Sequence, residues 1–280
     1  MSAVECFALT QAGVGKARNE DRVTICDTAL DAGEDWLQTS LACCAAVFDG
    51  VSQGGRGSEA SSCAAEALAR HARCDAALFD DETCAERVGS LFDDVQATLL
   101  RKAAHEGPGV GPMSTASGVV ITQTGRVVGF NVGDSRVYRL RAGMLLQLSE
   151  DHSVVRELFV HGASDELLAE ARRTQSHVIT RALGIPATSG HVVDVEDYGQ
   201  AQPGDLFLGC TDGIHDSVPR ADLKAALGRH ATGATLREIG HTLLEQALIG
   251  GSTDDLTLFL VRVSREEDSL RPTGGTDDGR

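Results

Sequence analysis

No two of the eight cysteines (Cys6, Cys26, Cys43, Cys44, Cys63, Cys74, Cys84 and Cys210) stand in a C-x-x-C pair. That absence excludes zinc-ribbon and thioredoxin-type sites. Several cysteines sit inside apolar runs such as "LACCAAVF" and "LFLGC", where reduced, buried thiols are expected. No apolar run approaches the roughly 18 residues of a membrane span. The start, "MSAVECFALT", has no basic head and no long apolar core, so no signal peptide and a cytoplasmic location are expected. Positive charge is scarce too: 25 Lys and Arg face 41 Asp and Glu, a net charge of −16. Nothing here neutralises a phosphate backbone in bulk, which excludes a non-specific nucleic-acid binder. A Walker A loop is also missing. "GVGKAR" (Gly13–Arg18) has Gly15-Lys16, but Ala17 follows and Thr10 stands where the first glycine belongs. "GGRGSE" has no lysine, and a dinucleotide fingerprint with its spacing is absent.

What is present is an ordinary globular balance over 280 residues, 42% apolar and 24% charged, with no repeat at a fixed period. Strands are expected at Glu5–Thr10, Arg22–Asp27, Leu41–Phe48, Ser117–Thr122, Arg126–Val132, Arg136–Arg141, Leu145–Leu148, His191–Val195, Asp205–Cys210 and Asp255–Val263. Helices are expected at Ser58–Cys74, Glu82–His105, Ser153–His161, Asp165–Arg173, Arg220–Leu227 and Thr235–Leu248. Gly107 to Pro112 reads as a loop. Strands follow one another across short turns rather than alternating with helices. That order indicates an α+β domain of antiparallel sheets covered by helices. The segment from about Ser264, "SREEDSLRPTGGTDDGR", reads as a disordered acidic tail after a domain of residues 1–263.

The aspartates fall at strand termini. "AAVF" ends at Asp49, "VVGFNVG" at Asp134 and "DLFLGCT" at Asp212, while Asp254-Asp255 precede the last strand and Glu20-Asp21 precede an early one. In antiparallel sheets the start of one strand lies beside the end of its neighbour, so these acids are expected on one rim. Crowded carboxylates repel, and a hard divalent cation removes that conflict. An all-oxygen set without His or Cys suits Mg²⁺ or Mn²⁺ rather than zinc.

Eight segments in order resemble the metal-dependent serine/threonine phosphatases of the PP2C (PPM) family, particularly the small bacterial members. They are "NEDR", "VFDGVSQGGRGSEAS", "MSTASGVV", "NVGDSRVYRLR", "LSEDHSVVRELFVHGA", "HVITRALG", "PGDLFLGCTDGIHDSV" and "GSTDDLTLFLVRV", spanning about residues 5 to 263. The resemblance implies a four-layer αββα sandwich, two antiparallel sheets flanked by helices, with two to three Mn²⁺ or Mg²⁺ ions at one end. It implies that Asp49 bridges two metals, with the Gly50 carbonyl as a further ligand. Asp212 and Asp254 match further ligands of the first metal, and Asp21 beside Glu20 matches the second. Asp134 matches a third site shared with Asp212, and residues from about 152 to 181 match the flap. A water between two ions about 4 Å apart would lose its proton near neutrality and attack phosphorus in line. The implied partners are phosphorylated proteins, including a Ser/Thr kinase of bacterial type and its substrates, met by a monomer with no membrane or nucleic-acid role. The alternative is a catalytically weak phosphoprotein-binding module of the same family.

Three positions depart from the pattern. Lys16 stands where an Arg usually grips the substrate phosphate, so the grip is expected to be looser, with Arg18 nearby as a substitute. Val51 replaces the His that eukaryotic relatives place after Asp-Gly. Asp255 replaces an Asn. Ser58 is expected as a helix N-cap. His152 is expected to be a structural hydrogen-bonder, and His71, His105, His177, His215 and His241 show no shared ligand spacing.

Overall fold

The computed structural model describes residues 2–51, 55–104, 111–186 and 190–265. The chain runs β1 (Ser2–Gln11), β2 (Arg22–Ile25), β3 (Thr28–Leu30), β4 (Gly33–Ser40), β5 (Cys43–Phe48), β6 (Gly50–Val51), α1 (Gly57–Cys74), α2 (Cys84–Ala103), β7 (Met113–Ser114), β8 (Ala116–Ile121) and β9 (Arg126–Val132). It continues through β10 (Arg136–Arg141), β11 (Met144–Gln147), α3 (Val154–Val160), α4 (Asp165–Thr174), β12 (Asp194–Gln200), β13 (Leu206–Cys210), α5 (Asp212–His215), α6 (Arg220–Gly228), α7 (Leu236–Ile249) and β14 (Leu256–Arg265).

Two six-stranded sheets form, in the orders β11-β10-β13-β14-β1-β4 and β12-β9-β8-β5-β2-β3, with a two-stranded β6-β7 ladder beside them. Every pairing is antiparallel. The period-2 alternation of β1 shows why the layers form. Val4, Cys6 and Ala8 face the second sheet, in one core with Val47, Val119 and Phe259. Phe7 and Leu9 face the opposite way, into a core with Ile239 and Leu243 of α7. The stripe Val88, Leu91, Phe92, Val95 and Leu99 of α2 closes the other outer layer over Phe48 and Phe130. The αββα sandwich is therefore as expected, and β5 is buried along its whole length because both its faces are covered.

Four local expectations are corrected. β4 is a strand that the polar run "GEDWLQTS" does not announce; it lies at a sheet edge, with Trp36 exposed and Leu37 turned inward. The strand expected at His191–Val195 lies at Asp194–Gln200, another edge, while Val192 and Val193 pack as loop residues against the α2 side. Ser58 does not cap α1: the helix starts at Gly57 after Arg56, and no side chain caps it. Gly57 and Gly50 are in backbone contact, since a Cβ on Gly57 would lie 2.3 Å from the Gly50 carbonyl oxygen, and this close approach fixes where the helix begins. Finally, the last strand, expected to end at Val263, continues: Ser264 and Arg265 pair with Ala3 and Ser2. The tail beyond it, His105 and most of the Gly107–Pro112 loop lie outside the described residues. Among the described residues, no helix is long and apolar enough to cross a membrane.

Candidate active site

The sandwich brings strand ends from both sheets to one rim. Asp49 follows β5, Asp134 follows β9, Asp212 opens α5 after β13, and Asp254 precedes β14. All four line one cavity of about 330 Å³, together with Lys16, Gly50, Val51, Thr115, His177 and Ile179. Asp21, ahead of β2, is buried and accepts a hydrogen bond from Thr211 Oγ1 at 2.9 Å.

The Asp49 backbone is clamped. Its carbonyl accepts from Thr115 N at 2.9 Å, and its N–H donates to Thr115 Oγ1 at 3.0 Å. The Thr115 hydroxyl also meets Ser135 Oγ at 2.8 Å. Gly50 must be glycine, because a Cβ there would lie 2.5 Å from both the Glu20 carbonyl oxygen and the Gly57 carbonyl carbon. These contacts hold the Asp49-Gly50 peptide at the cavity wall.

The carboxylates resist ionisation together. Burial, and then Asp21, Asp212, Asp134 and Asp254, hold Asp49 well above the usual carboxylate range. Burial, with Asp212 and Asp151, pushes Asp134 up to about 7. Asp21 is pushed up to about 8 by burial, against the Thr257 and Thr211 hydroxyls that bond it, with Asp255 and Asp212 adding to the rise. Asp212 is raised by burial and by Asp254. Buried like charges of this density are relieved by a multivalent cation, and an all-oxygen donor set fits a hard one. The cavity already attracts positive charge: the Lys16 ammonium pairs with Asp254 and lies 3.3 Å from Asp255. Burial works against the charged amine, yet these carboxylates hold Lys16 above the usual lysine range.

The expected site residues therefore divide. Lys16, Asp49, Gly50, Asp134, Asp212 and Asp254 share the cavity, and the buried Asp21 carboxylate repels that of Asp49 from within the protein. Glu20 does not line the cavity. Its backbone is held instead, with N donating to Asp255 Oδ2 at 2.9 Å and the carbonyl accepting from Ser61 Oγ at 2.5 Å. Arg18 is exposed and does not line the cavity either. Asp255, only 2% exposed, turns away to accept from Gly13 N at 2.8 Å and Glu20 N at 2.9 Å, clasping the loop between β1 and β2. His152 is a hydrogen-bonder as expected: Gly133 N donates to Nδ1 at 3.1 Å, and Nε2 meets Asp194 at 2.9 Å and Arg181 at 3.0 Å. Sequence reasoning missed Thr115, which sits inside the "MSTASG" motif, and His177, which no spacing rule marks.

A four-layer sandwich with carboxylates gathered on one rim is a scaffold suited to divalent ions. Residues 18–248 match the family model described as Protein phosphatase 2C. The serine/threonine phosphatase stp of Listeria innocua is 29% identical over 218 residues, which is 77% of this chain and 82% of that protein. PstP of Mycobacterium tuberculosis is 29% identical over 259 residues, 91% of this chain but 44% of PstP. The solved catalytic domain of a PstP in complex with two manganese ions aligns at a TM-score of 0.72 and 25% identity, covering 94% of this chain and all of that one. The chain belongs to the protein phosphatase 2C family and is a protein phosphatase.

Proposed function

We propose that the protein hydrolyses phosphoserine and phosphothreonine in proteins, with two to three Mn²⁺ or Mg²⁺ ions held by Asp49, the Gly50 carbonyl, Asp212, Asp254, Asp21 and Asp134. The reading rests on one observation above all: acids from four separate strand ends line one cavity. Bound ions would supply a water acidic enough to act as nucleophile near neutral pH and would offset phosphoryl charge. The chain's own part is positional. The Thr115 clamp fixes the Asp49-Gly50 peptide, and buried Asp21 is oriented by Thr211. Lys16, at the cavity wall and paired with Asp254, would meet the phosphoryl oxygens as a point charge. Phosphorylated proteins in the cytoplasm, including a serine/threonine kinase and its targets, are the proposed substrates. The full set of rim acids argues against a binding module without turnover. Phosphate release from a phosphothreonine peptide tests the reading: it starts on adding Mn²⁺ and stops with EDTA. Undiminished release in EDTA, or a full rate in Asp49→Asn, would overturn it.

A further inference from the structure

His177 lies between α4 and the end of the flap, where Ile179 bridges to Ser153 and Val154 N donates to the Val178 carbonyl at 3.0 Å. Its ring reaches the rim from the flap side. One donor atom each from His177, Asp212 and Asp216 lie within 4.8 Å of one another. His177 Nδ1 is 3.5 Å from Asp216 Oδ2. Asp212 and Asp216 are four residues apart across α5, so they stand on one side of it.

The Asp216 carboxylate is pre-aimed. Its Oδ1 meets His215 Nδ1 at 3.0 Å, and the other nitrogen of that buried ring meets the Asp134 carbonyl at 3.1 Å. Both His215 nitrogens face acceptors, which fixes the ring and leaves Asp216 Oδ2 directed toward His177. A partner holding a ligand's second atom in this way is what orients ligands around metals. An ion bonded at about 2.1 Å to nitrogen and oxygen spans ligand separations up to about 4.2 Å. Donor atoms up to 4.8 Å apart exceed that span, so ion binding requires the exposed His177 ring to turn inward.

We propose that His177 is a nitrogen ligand from the flap that joins Asp212 and Asp216 in holding a first-row divalent transition-metal ion. The proposal rests on reading Asp212 as a metal ligand and adds two donors to it. An imidazole with two carboxylates favours Mn²⁺, Fe²⁺ or Zn²⁺ over Mg²⁺, which prefers oxygen alone and keeps its waters. Such an ion fastens the flap to the rim, so its occupancy sets how the cavity is covered.

Mn²⁺ alone is the probe, added to metal-free protein and followed by equilibrium dialysis and pulsed EPR. The wild type is expected to show nitrogen modulation from a coordinated imidazole, growing in with the weakest-bound ion. His177→Ala abolishes that modulation and weakens the same ion by about tenfold or more, while Asp216→Asn weakens the ion. His177 is at the surface, so its variant folds. Saturated wild type without nitrogen modulation, or modulation that survives in His177→Ala, overturns the proposal and reduces the contact to an ion pair. If Mn²⁺ binds and drives phosphate release but no nitrogen signal appears, this inference falls and the proposed function stands. If no Mn²⁺ binds, both fall.

Discussion

Asp49 shows at the scale of one residue how function and stability oppose each other. The side chain is buried among four other acids that raise its pKa. Without bound cations its charge destabilises the fold, and a neutral isostere relieves that strain. Asp49→Asn is therefore expected to raise the melting temperature of the metal-free protein by a few degrees while lowering kcat by about 10³-fold or more. Calorimetry in EDTA and phosphate-release kinetics in Mn²⁺ read the two arms separately, and a variant that loses both activity and stability would mark Asp49 as a structural acid. Lys16 carries a second prediction. It sits between the carboxylates of Asp254 and Asp255 and the open cavity. An arginine there adds a planar fork that binds a phosphate through two donors. Lys16→Arg should raise kcat/KM on a phosphothreonine peptide by about two- to tenfold, since a charge-assisted hydrogen bond contributes on the order of 1 kcal/mol. An unchanged or lower value would mean that the phosphate is held elsewhere.

At the scale of elements, the loop between β1 and β2 depends on a residue that the motif alone leaves ambiguous. Asp255 is buried and accepts from two backbone N–H groups, of Gly13 and Glu20, across more than two hundred residues of sequence. Asp255→Ala leaves both donors without that partner and should cost about 2–3 kcal/mol. That corresponds to a melting temperature lower by roughly 4–12 °C for a chain of this size. Asp255→Asn keeps one acceptor oxygen but turns its amide NH2 toward the other backbone N–H, so it should lose part of this stability, and a loss equal to that of Asp255→Ala would show that the clasp needs both oxygens. The same elements show what a sequence can reveal. Arg126–Val132 and Arg136–Arg141 were legible to the residue because apolar side chains run between two glycine-containing turns. β4 and β12 were not, because an edge strand with one wet face reads as polar loop. The rim acids were legible because each ends or begins an apolar run. Asp255 was not, because the direction of a carboxylate one residue along is a tertiary fact. His177 reaches the same cavity for a similar reason: the flap, not the local sequence, carries it there.

For the whole molecule, the rim acids set how stability responds to pH. An unfolded aspartate titrates near 3.9. In the folded protein Asp134 is pushed up to about 7 and Asp21 to about 8, and Asp49 and Asp212 are raised as well. Between about pH 4 and 8 the native state therefore holds protons that the unfolded chain has already released. Stability falls with rising pH wherever the native state binds more protons, so metal-free protein loses stability steadily across this window. The carboxylates whose pKa is lowered by arginine or histidine partners, such as Asp194 and Asp197, titrate below the window and leave its slope alone. A divalent ion binds only the deprotonated acids, so its stabilisation grows as pH rises and opposes the trend. Thermal melts at pH 5, 6, 7 and 8 should show a falling midpoint in EDTA and a flat or rising one in saturating Mn²⁺. The gap between the two curves should therefore widen toward pH 8. A midpoint in EDTA that rises from pH 5 to 8 would mean that the rim acids are ionised without cost, and the crowding that motivates the metal centre would be wrong.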